Sequence, residues 1–371
     1  MQKVADEAQF LALLRLVGKA APDATVTIFA RPHPGAGITP DDETVSVIPT
    51  ASLAAVARAL ACADLFILVG GCFMESPRQA AACSILMLLA RACRTPVIAI
   101  GVTAFPYRRL WARWIYSRVF NATTEITVRE AAAQQALTEL PLRTRVTRLA
   151  DPRYVLTPGT DDDSDDLLEE LGLSLRQPLV GVTLRYMHYG MPDWVKASHG
   201  YSPDAVEWAN DALACALDAL AAEAQLVVLP MHASHDEDLA AAQAIRARMR
   251  TPHSLCSSLP RLRTPQLMAL VNRCDLVLAS RLAAGMISVS TATPVFGIAY
   301  EKRLLELMSG LGLGAYVMPW LAADSSHLEA IARRAWIERR QIRQAMLDSG
   351  RMLVESAWAN AEIIARQLAQ G

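Results

Sequence analysis

The sequence has 371 residues, of which 53% are apolar and 20% are charged, so it is a globular chain long enough for two domains. Its 36 basic and 37 acidic residues leave a formal net charge of −1. This balance provides no global field for holding nucleic acid or an anionic membrane, so an anionic ligand must be bound by a local cluster of cations.

The first half of the sequence alternates helical segments with short, β-branched strands. Strands are predicted over 25–30, 45–49, 64–69, 96–101, 126–129 and 146–151, and helices over 7–17, 52–62, 78–93, 107–120 and 130–140. This alternation predicts a doubly wound domain built on a parallel sheet. Because the chain opens on a helix rather than on a strand, the first strand of this domain is predicted to be missing.

A run of aspartates follows the first half, with five between Asp161 and Asp166 interrupted only by Ser164. Such a run resists burial and predicts an exposed interdomain segment that leads into a helix. The predicted organisation is an N-terminal domain over 1–158, the acidic segment over 159–177, a C-terminal domain over 178–325 and C-terminal helices over 326–371. Their arginine-rich faces are interpreted as solvated, with packing back on the first half left open.

The second half of the sequence shows the same alternation of strands and helices as the first. Strands are predicted over 179–185, 225–230, 275–279 and 294–299, and helices over 203–223, 237–249, 265–273 and 283–291. The predicted fold class is therefore α/β, with two Rossmann-like, doubly wound domains facing a cleft that holds the ligand.

Cationic or ionisable residues follow four strands of the second half. In open parallel sheets, ligands bind beyond the carboxyl ends of the strands, so these positions are candidates for the site. They are Arg185 with His188, His232 with His235, Ser280 with Arg281, and Tyr300 with Lys302. Arginine suits a planar carboxylate and lysine acts as a point charge for phosphate, so the set predicts an anion carrying both groups.

Two other features have a functional and a structural interpretation. Gly70 and Gly71 follow a strand, where glycine lets a ligand approach the backbone or simply forms a tight turn. His232 and His235 have no third ligand at useful spacing, so a metal is not predicted; a general acid or base and a structural role both stay open. The seven cysteines fit no zinc or disulfide pattern and are predicted to be reduced and buried.

Several of these segments, in the same order along the chain, resemble the polysaccharide pyruvyl transferase family. Asp6-Glu7-Ala8 resembles the end of its N-x-G-D-E/D-A opening, and Val69-Gly70-Gly71 its glycine triplet. The segments Ile126–Glu130, Ala150–Pro152 and Leu184-Arg185 resemble its itvRd/e, DP and lR motifs. The most specific match is Ala279–Leu282 followed by Pro294–Lys302, which resembles the block R-L-H…gvPv…isY-x-K.

The resemblance implies a fold similar to GT-B glycosyltransferases and the transfer of a pyruvyl group from phosphoenolpyruvate to two hydroxyls of a sugar, as in exopolysaccharide biosynthesis. No cofactor and no metal are implied. The C-terminal domain would hold the donor and the N-terminal domain the acceptor, a sugar or a lipid-linked oligosaccharide. Donor-binding residues would be Arg185, Arg281, Lys302, Tyr300, Gly70, Gly71 and Arg129, and catalytic residues would be His232, His188 and Arg281.

The sequence departs from the family pattern at three places. The family's R-L-H is Arg281-Leu282-Ala283, its glycine triplet is Gly70-Gly71-Cys72, and its first strand and glycine turn have no counterpart. An alanine methyl cannot transfer a proton. Three hypotheses follow: a working pyruvyl transferase that uses another histidine, a family member that binds ligand without catalysis, and a glycosyltransferase that uses a nucleotide sugar.

A location in the cytoplasm is expected, because the N-terminal residues show no secretory pattern and no apolar stretch approaches the roughly 20 residues of a membrane span. The segment Tyr107–Phe120 mixes aromatics with arginines. Two interpretations stay open for it: a partly buried helix of the first half, and a peripheral helix on the inner face of the membrane.

Overall fold

The computed structural model describes residues 4–30, 44–70, 77–104, 109–185, 203–231, 236–257 and 262–370. The chain forms two compact units. The first comprises Ala8–Leu156 together with Leu353–Gly371, and the second comprises Thr157–Met352 together with Gln2–Glu7.

The first unit contains parallel strands that alternate with helices. Its elements are α1 (Val4–Ala20, which begins in the second unit), β1 (Val26–Ala30), β2 (Val45–Pro49), α2 (Leu53–Ala61), β3 (Phe66–Val69), α3 (Pro77–Ala92), β4 (Val97–Val102), α4 (Leu110–Phe120), β5 (Glu125–Val128), α5 (Ala131–Thr138) and β6 (Arg145–Arg148). Strands β3-β4-β5-β6 form one parallel sheet in that order, and β1 pairs with β2.

The second unit is built on a six-stranded parallel sheet of order β12-β11-β10-β7-β8-β9. Its elements are α6 (Asp161–Glu170), β7 (Leu179–Val182), α7 (Pro203–Ala221), β8 (Gln225–Val228), α8 (Asp236–Arg246), β9 (Leu255–Cys256), α9 (Thr264–Arg273), β10 (Leu276–Ala279), α10 (Leu282–Thr291), β11 (Val295–Ala299), α11 (Lys302–Gly310), β12 (Val317–Pro319), α12 (Ser325–Ile337) and α13 (Arg339–Leu368, which ends in the first unit).

The central strands of both sheets are short, nearly continuous apolar runs because helices cover both of their faces. Every residue of β4, β7, β10 and β11 is buried. Close strand packing also explains a glycine within β11: a Cβ on Gly297 would lie 2.7 Å from the Ala279 carbonyl oxygen. The parallel sheets predicted from the sequence are confirmed.

The structure differs from the sequence-based expectation in several elements. Strands β9 and β12 were not predicted, because two or three residues are too few to show a period. Helix α11 was not predicted either. The acidic segment contains α6, whose Ser164 and Leu168 are buried, so the aspartate run itself begins the helix. The predicted C-terminal helices, 326–371, divide between the two units at Met352.

The cysteines differ in burial, and the lengths and composition of the helices were compared with those of membrane-spanning helices. Of the six cysteines that the structure describes, only Cys274 is fully buried and Cys62 is exposed, so the prediction that all are buried is wrong. In the part of the chain with described coordinates, no helix is both long and apolar enough to cross a membrane.

Candidate functional site

The order of strands in the second unit identifies a switch point between β7 and β10. From β7 the chain proceeds outward through β8 and β9, whereas β10, β11 and β12 proceed in the other direction. At such a point the connections leave the sheet on opposite sides, which opens a crevice beyond the carboxyl ends of the two strands. Arg185 follows β7, and Ser280 and Arg281 follow β10, so these predicted residues lie at the switch point.

Arg281 is buried at the start of α10 and bonds the protein through Nε and Nη2. Its Nη2 lies 3.1 Å from Glu237 Oε1 and 2.9 Å from Asp238 Oδ1, and its Nε donates to the Leu184 carbonyl at 3.1 Å. Asp238 Oδ2 also accepts from the Met231 amide, which follows β8. Arg281 thus joins the ends of β7, β8 and β10, and its charge is matched by two carboxylates. The role of Arg281 in binding the donor and in catalysis stays a prediction.

Arg185 contrasts with Arg281, because no carboxylate among the described residues forms an ion pair with it. Its Nη1 donates to the Tyr300 hydroxyl at 3.0 Å, and its guanidinium carbon lies 4.4 Å from the centre of the Tyr300 ring. The buried Arg185 Nε has no hydrogen-bond partner in the described structure. Arg185 is therefore held in place by an aromatic ring while retaining charge and a donor for a ligand.

Tyr300 carries a neutral hydroxyl at neutral pH, and its surroundings raise the pKa of that hydroxyl further. Burial raises the pKa of its hydroxyl, and the adjacent Glu301 carboxylate raises that pKa further. The Tyr300 oxygen accepts from Arg185, which leaves the hydroxyl proton available to a ligand oxygen. The structure thus brings the predicted Arg185 and Tyr300 together.

Ser280 adds a small polar group beside the two arginines. Its amide donates to Thr183 Oγ1 at 3.0 Å, and Thr183 in turn donates to the Leu278 carbonyl, which fixes the ends of β7 and β10 together. The Ser280 hydroxyl is buried and lacks a hydrogen-bond partner among the described residues. Buried donors without partners are rare and are typical of places where a ligand or water completes the bonding.

Lys302 is largely exposed, whereas Ser280 and Arg281 are buried. Its side chain is 84% exposed and forms an ion pair with Glu306 at 3.0 Å, one turn along α11. Such a pair is weak and is readily replaced by a ligand, but no contact among the described residues orients Lys302 toward Arg185. Its role as a donor-binding residue stays a prediction.

The predicted residues of the first unit form a cluster of their own. Arg129 follows β5, and its Nη1 lies 2.7 Å from Asp151 Oδ2, while its Nη2 donates to Thr103 Oγ1. Arg153 binds the same carboxylate at 2.8 Å. Burial alone would raise the pKa of Asp151, but Arg153 and Arg129 outweigh it and hold that pKa well below its usual range.

Gly70 directly follows β3 and has a φ of +90°, a conformation that favours glycine. The Gln9 side chain occupies the place of a Cβ there, so a protein group already lies against the Gly70 backbone.

Gly71, His188, His232 and His235 lie outside the described residues, so their predicted roles are unchanged. Sequence reasoning missed the acidic partners of Arg281. Glu237 and Asp238 lie in the first turn of α8, where acidic residues ordinarily complement the helix dipole. The available signal was their position at the start of the helix that follows β8 in the chain. Within the described structure, no group of three or more His, Cys, Asp or Glu residues is arranged to hold a metal.

Comparison with protein families gives one match over most of the chain. Residues 6–302 match the model of the family described as polysaccharide pyruvyl transferase. The matched range contains all the motifs that the sequence analysis identified in the two units, from Asp6 to Lys302. A sequence search among curated proteins found none that matches.

Comparison with solved structures gives similar folds at low sequence identity. The Anabaena protein HepE, solved in complex with UDP and glucose, is 18% identical with a TM-score of 0.54 over 98% of this chain and 95% of that one. The UDP-GlcNAc 2-epimerase from Neisseria meningitidis, bound to UDP-GlcNAc, is 12% identical with a TM-score of 0.58 over 98% and 97%. Spinosyn forosaminyltransferase SpnP is 13% identical with a TM-score of 0.54 over 98% and 96%. The predicted GT-B-like α/β fold is confirmed.

Proposed function

The chain belongs to the polysaccharide pyruvyl transferase family, a family of transferases, and from this premise we propose that it transfers a pyruvyl group from phosphoenolpyruvate to two hydroxyls of a sugar. The acceptor is proposed to be a saccharide unit of a cell-surface polysaccharide or its lipid-linked precursor. The reaction is proposed to occur in the cytoplasm.

The environment of Arg185 is the observation that most directly supports phosphoenolpyruvate as the donor. Its guanidinium lies at the switch point of the six-stranded sheet and stacks on Tyr300. Its buried Nε donates a hydrogen bond to no described residue. A guanidinium pairs with a planar carboxylate through two parallel hydrogen bonds, and phosphoenolpyruvate carries a carboxylate beside its phosphate. The hydroxyls of Ser280 and neutral Tyr300 then supply donors for the remaining oxygens.

The proposed reaction requires proton transfers at both substrates. The donor methylene takes up a proton and becomes a methyl group, which leaves its C2 carbon electron-deficient. One sugar hydroxyl adds to C2 and loses its proton, the C2–O bond to phosphate breaks, and a second hydroxyl attacks C2 and loses its proton. Phosphoenolpyruvate and two hydroxyls thus become a cyclic ketal and inorganic phosphate. Fixed cations favour this course because they stabilise the departing phosphate.

Arg281 contributes by positioning Arg185. It bonds the carbonyl of Leu184, the residue before Arg185, and its buried carboxylate partners hold it in place. The group that moves the protons is proposed to be His232, His188 or His235, since Ala283 occupies the place of the family's histidine and has no titratable group.

The test is acceptor-dependent release of phosphate from phosphoenolpyruvate across a panel of sugars and lipid-linked saccharides. We expect Arg185→Ala to lower kcat/KM for phosphoenolpyruvate by roughly a hundredfold, and Arg185→Lys to restore only part of it, because an ammonium cannot form two parallel bonds. Arg333→Ala is the matched control, since Arg333 is exposed in the same unit and pairs only with Glu329 among the described residues.

Arg281→Ala is a poor substitute for this test. It removes a cation that pairs with the buried Glu237 and Asp238, so loss of activity would be mixed with loss of stability. A folded Arg185→Ala variant with the parent's kcat/KM would overturn the assignment of Arg185. Phosphate release from no acceptor in the panel would count against the pyruvyl transfer itself.

A nucleotide sugar is the second candidate donor. HepE and the Neisseria epimerase, both similar in fold, are solved with UDP or UDP-GlcNAc, and a diphosphate also suits Arg185. If a UDP-sugar raises the thermal midpoint while phosphoenolpyruvate leaves it unchanged, the glycosyltransferase hypothesis replaces the pyruvyl transfer. A rise with phosphoenolpyruvate but no turnover would favour a member that binds without catalysis.

A further inference from the structure

Helix α4 of the first unit presents large apolar side chains to solvent. Leu110 is 83% exposed, Trp111 60% and Trp114 61%, and Ile115 is also exposed. These four residues, here called the tryptophan face, recur at helical spacing, while Ala112, Val119 and Phe120 on the opposite side are buried. Helix α3, which packs against α4, adds exposed Ile85 and Leu88. Soluble proteins rarely expose so many large apolar side chains together without a binding partner.

Arginines surround this face. Arg109 precedes α4, and Arg118 stacks on Trp114 with its guanidinium carbon 4.5 Å from the ring centre. A groove of about 880 Å³ runs along the same helix and is lined by Arg113, Arg118 and Arg143 together with Trp114.

The groove is a fixed part of the unit. Asn121 holds the loop opposite α4 by donating to the Pro141 carbonyl at 3.1 Å and accepting from the Arg143 amide at 2.7 Å. Arg113 donates to the Glu139 carbonyl. None of the groove arginines forms an ion pair with a described carboxylate, and Glu139 is the one acidic residue in its lining. The groove therefore carries excess positive charge beside an apolar surface.

We propose that the tryptophan face docks this unit on an anionic phospholipid membrane, with lipid phosphates bound by the arginines of the groove. Tryptophan prefers the boundary between headgroups and acyl chains because its ring is apolar and its N–H is polar. Arginine binds phosphate through paired N–H donors and stays charged at that boundary. A helix with both features lies in the plane of the membrane surface. This inference concerns where the protein acts and does not depend on the identity of the donor.

The test is co-sedimentation of the full chain with vesicles of phosphatidylglycerol and phosphatidylcholine in equal amounts, against phosphatidylcholine alone. We expect binding to the anionic vesicles that weakens as salt rises. The double variant Trp111→Ser with Trp114→Ser is expected to lower the partition coefficient by roughly tenfold or more. The double variant Arg118→Gln with Arg143→Gln should lose the preference for anionic lipid.

Trp208→Ser is the matched control. Trp208 is 64% exposed on α7, where the exposed neighbours Asp204, Glu207 and Asp211 are acidic, so its loss should leave vesicle binding unchanged. Circular dichroism and the thermal midpoint should match the parent in all variants, because the altered side chains are exposed. No binding at low salt, or equal binding by the Trp111 and Trp114 variant, would overturn the proposal. A dimer of the parent that this variant converts to monomer would assign the face to a second copy instead.

Discussion

Asp151 in the first unit binds two guanidinium groups while it is buried, and this makes its charge a stability determinant. Its pKa lies below the ordinary value of 3.8 because Arg153 and Arg129 outweigh the opposing effect of burial. The folded chain therefore binds fewer protons at this site than the unfolded chain. The stabilisation is fully present above about pH 4 and is lost as the pH falls further.

We expect Asp151→Asn to lower the free energy of unfolding by about 3 kcal/mol at neutral pH, because it removes the buried anion that pairs with the largely buried Arg129 and Arg153. The variant should also lose less stability than the parent between neutral pH and pH 3, as measured by urea unfolding at each pH. Glu329→Gln removes an exposed ion pair to Arg333 and should change stability by about 0.5 kcal/mol or less. An Asp151→Asn variant as stable as the parent at neutral pH would contradict this account.

At single positions, sequence reasoning identified which residues lie at strand ends but not what they touch. Arg185 and Arg281 look equivalent as the first cations after β7 and β10. The structure separates them, since Arg281 contacts two buried carboxylates and Arg185 contacts an aromatic ring. The difference comes from Glu237 and Asp238, which are more than 40 positions away in sequence. Pairing over such distances depends on the tertiary fold and leaves no local pattern.

At the scale of elements, the C-terminal half of α13 forms part of the first unit through buried polar contacts. The Gly101 amide donates to Thr127 Oγ1 at 2.9 Å, and the Thr127 hydroxyl donates to Asn360 Oδ1 at 2.9 Å. Asn360 is fully buried and also donates to the Ala357 carbonyl. Arg366, whose side chain is half exposed, forms an ion pair with buried Glu125 at the start of β5. The helix is thus fixed to the strands β4 and β5 by a chain of hydrogen bonds.

We expect Asn360→Ala to lower the free energy of unfolding of the first unit by about 2 kcal/mol, since it leaves the buried Thr127 hydroxyl without its acceptor. Denaturant unfolding followed by near-ultraviolet circular dichroism measures this change. Glu362→Ala is the control on the same helix, because Glu362 is exposed and should alter stability by about 0.5 kcal/mol or less. Equal effects of the two substitutions would show that α13 is not held by the Asn360 contacts.

The sequence predicted that α13 exists, and the small apolar residues Ala357 and Ala361 with Ile364 mark its buried face. It did not predict that the helix crosses from one unit into the other at Met352. Helical periodicity identifies a face that must be covered, whereas the choice of the covering strands depends on long-range packing. The same reasoning explains α4, whose mixed aromatic and basic composition fitted both a buried helix and a surface helix until its exposure was known.

For the whole molecule, alternation of strands and helices was sufficient to predict parallel sheets in both halves, but not that β1 and β2 form a sheet separate from β3–β6. The order of β7 to β12 then located the switch point. The first unit contains a two-stranded and a four-stranded sheet, and the second unit contains the six-stranded sheet. The proposed donor site lies on the second unit's sheet and the proposed membrane face on the first unit's α4. We therefore expect the two ligands to protect different segments of the chain from hydrogen exchange.

Phosphoenolpyruvate at saturation should slow amide exchange roughly tenfold or more over 183–185 and 280–285, where the donor site lies, and leave 110–120 unchanged. Anionic vesicles should do the reverse. Arg185→Ala should abolish only the first effect, and Trp111→Ser with Trp114→Ser only the second, as followed by mass spectrometry of exchanged peptides. If the donor slows exchange over 110–120 but not over 183–185 or 280–285, the switch point is not its binding site. If either variant abolishes both effects, the two sites share one structural transition and the separation argued from the two sheets fails.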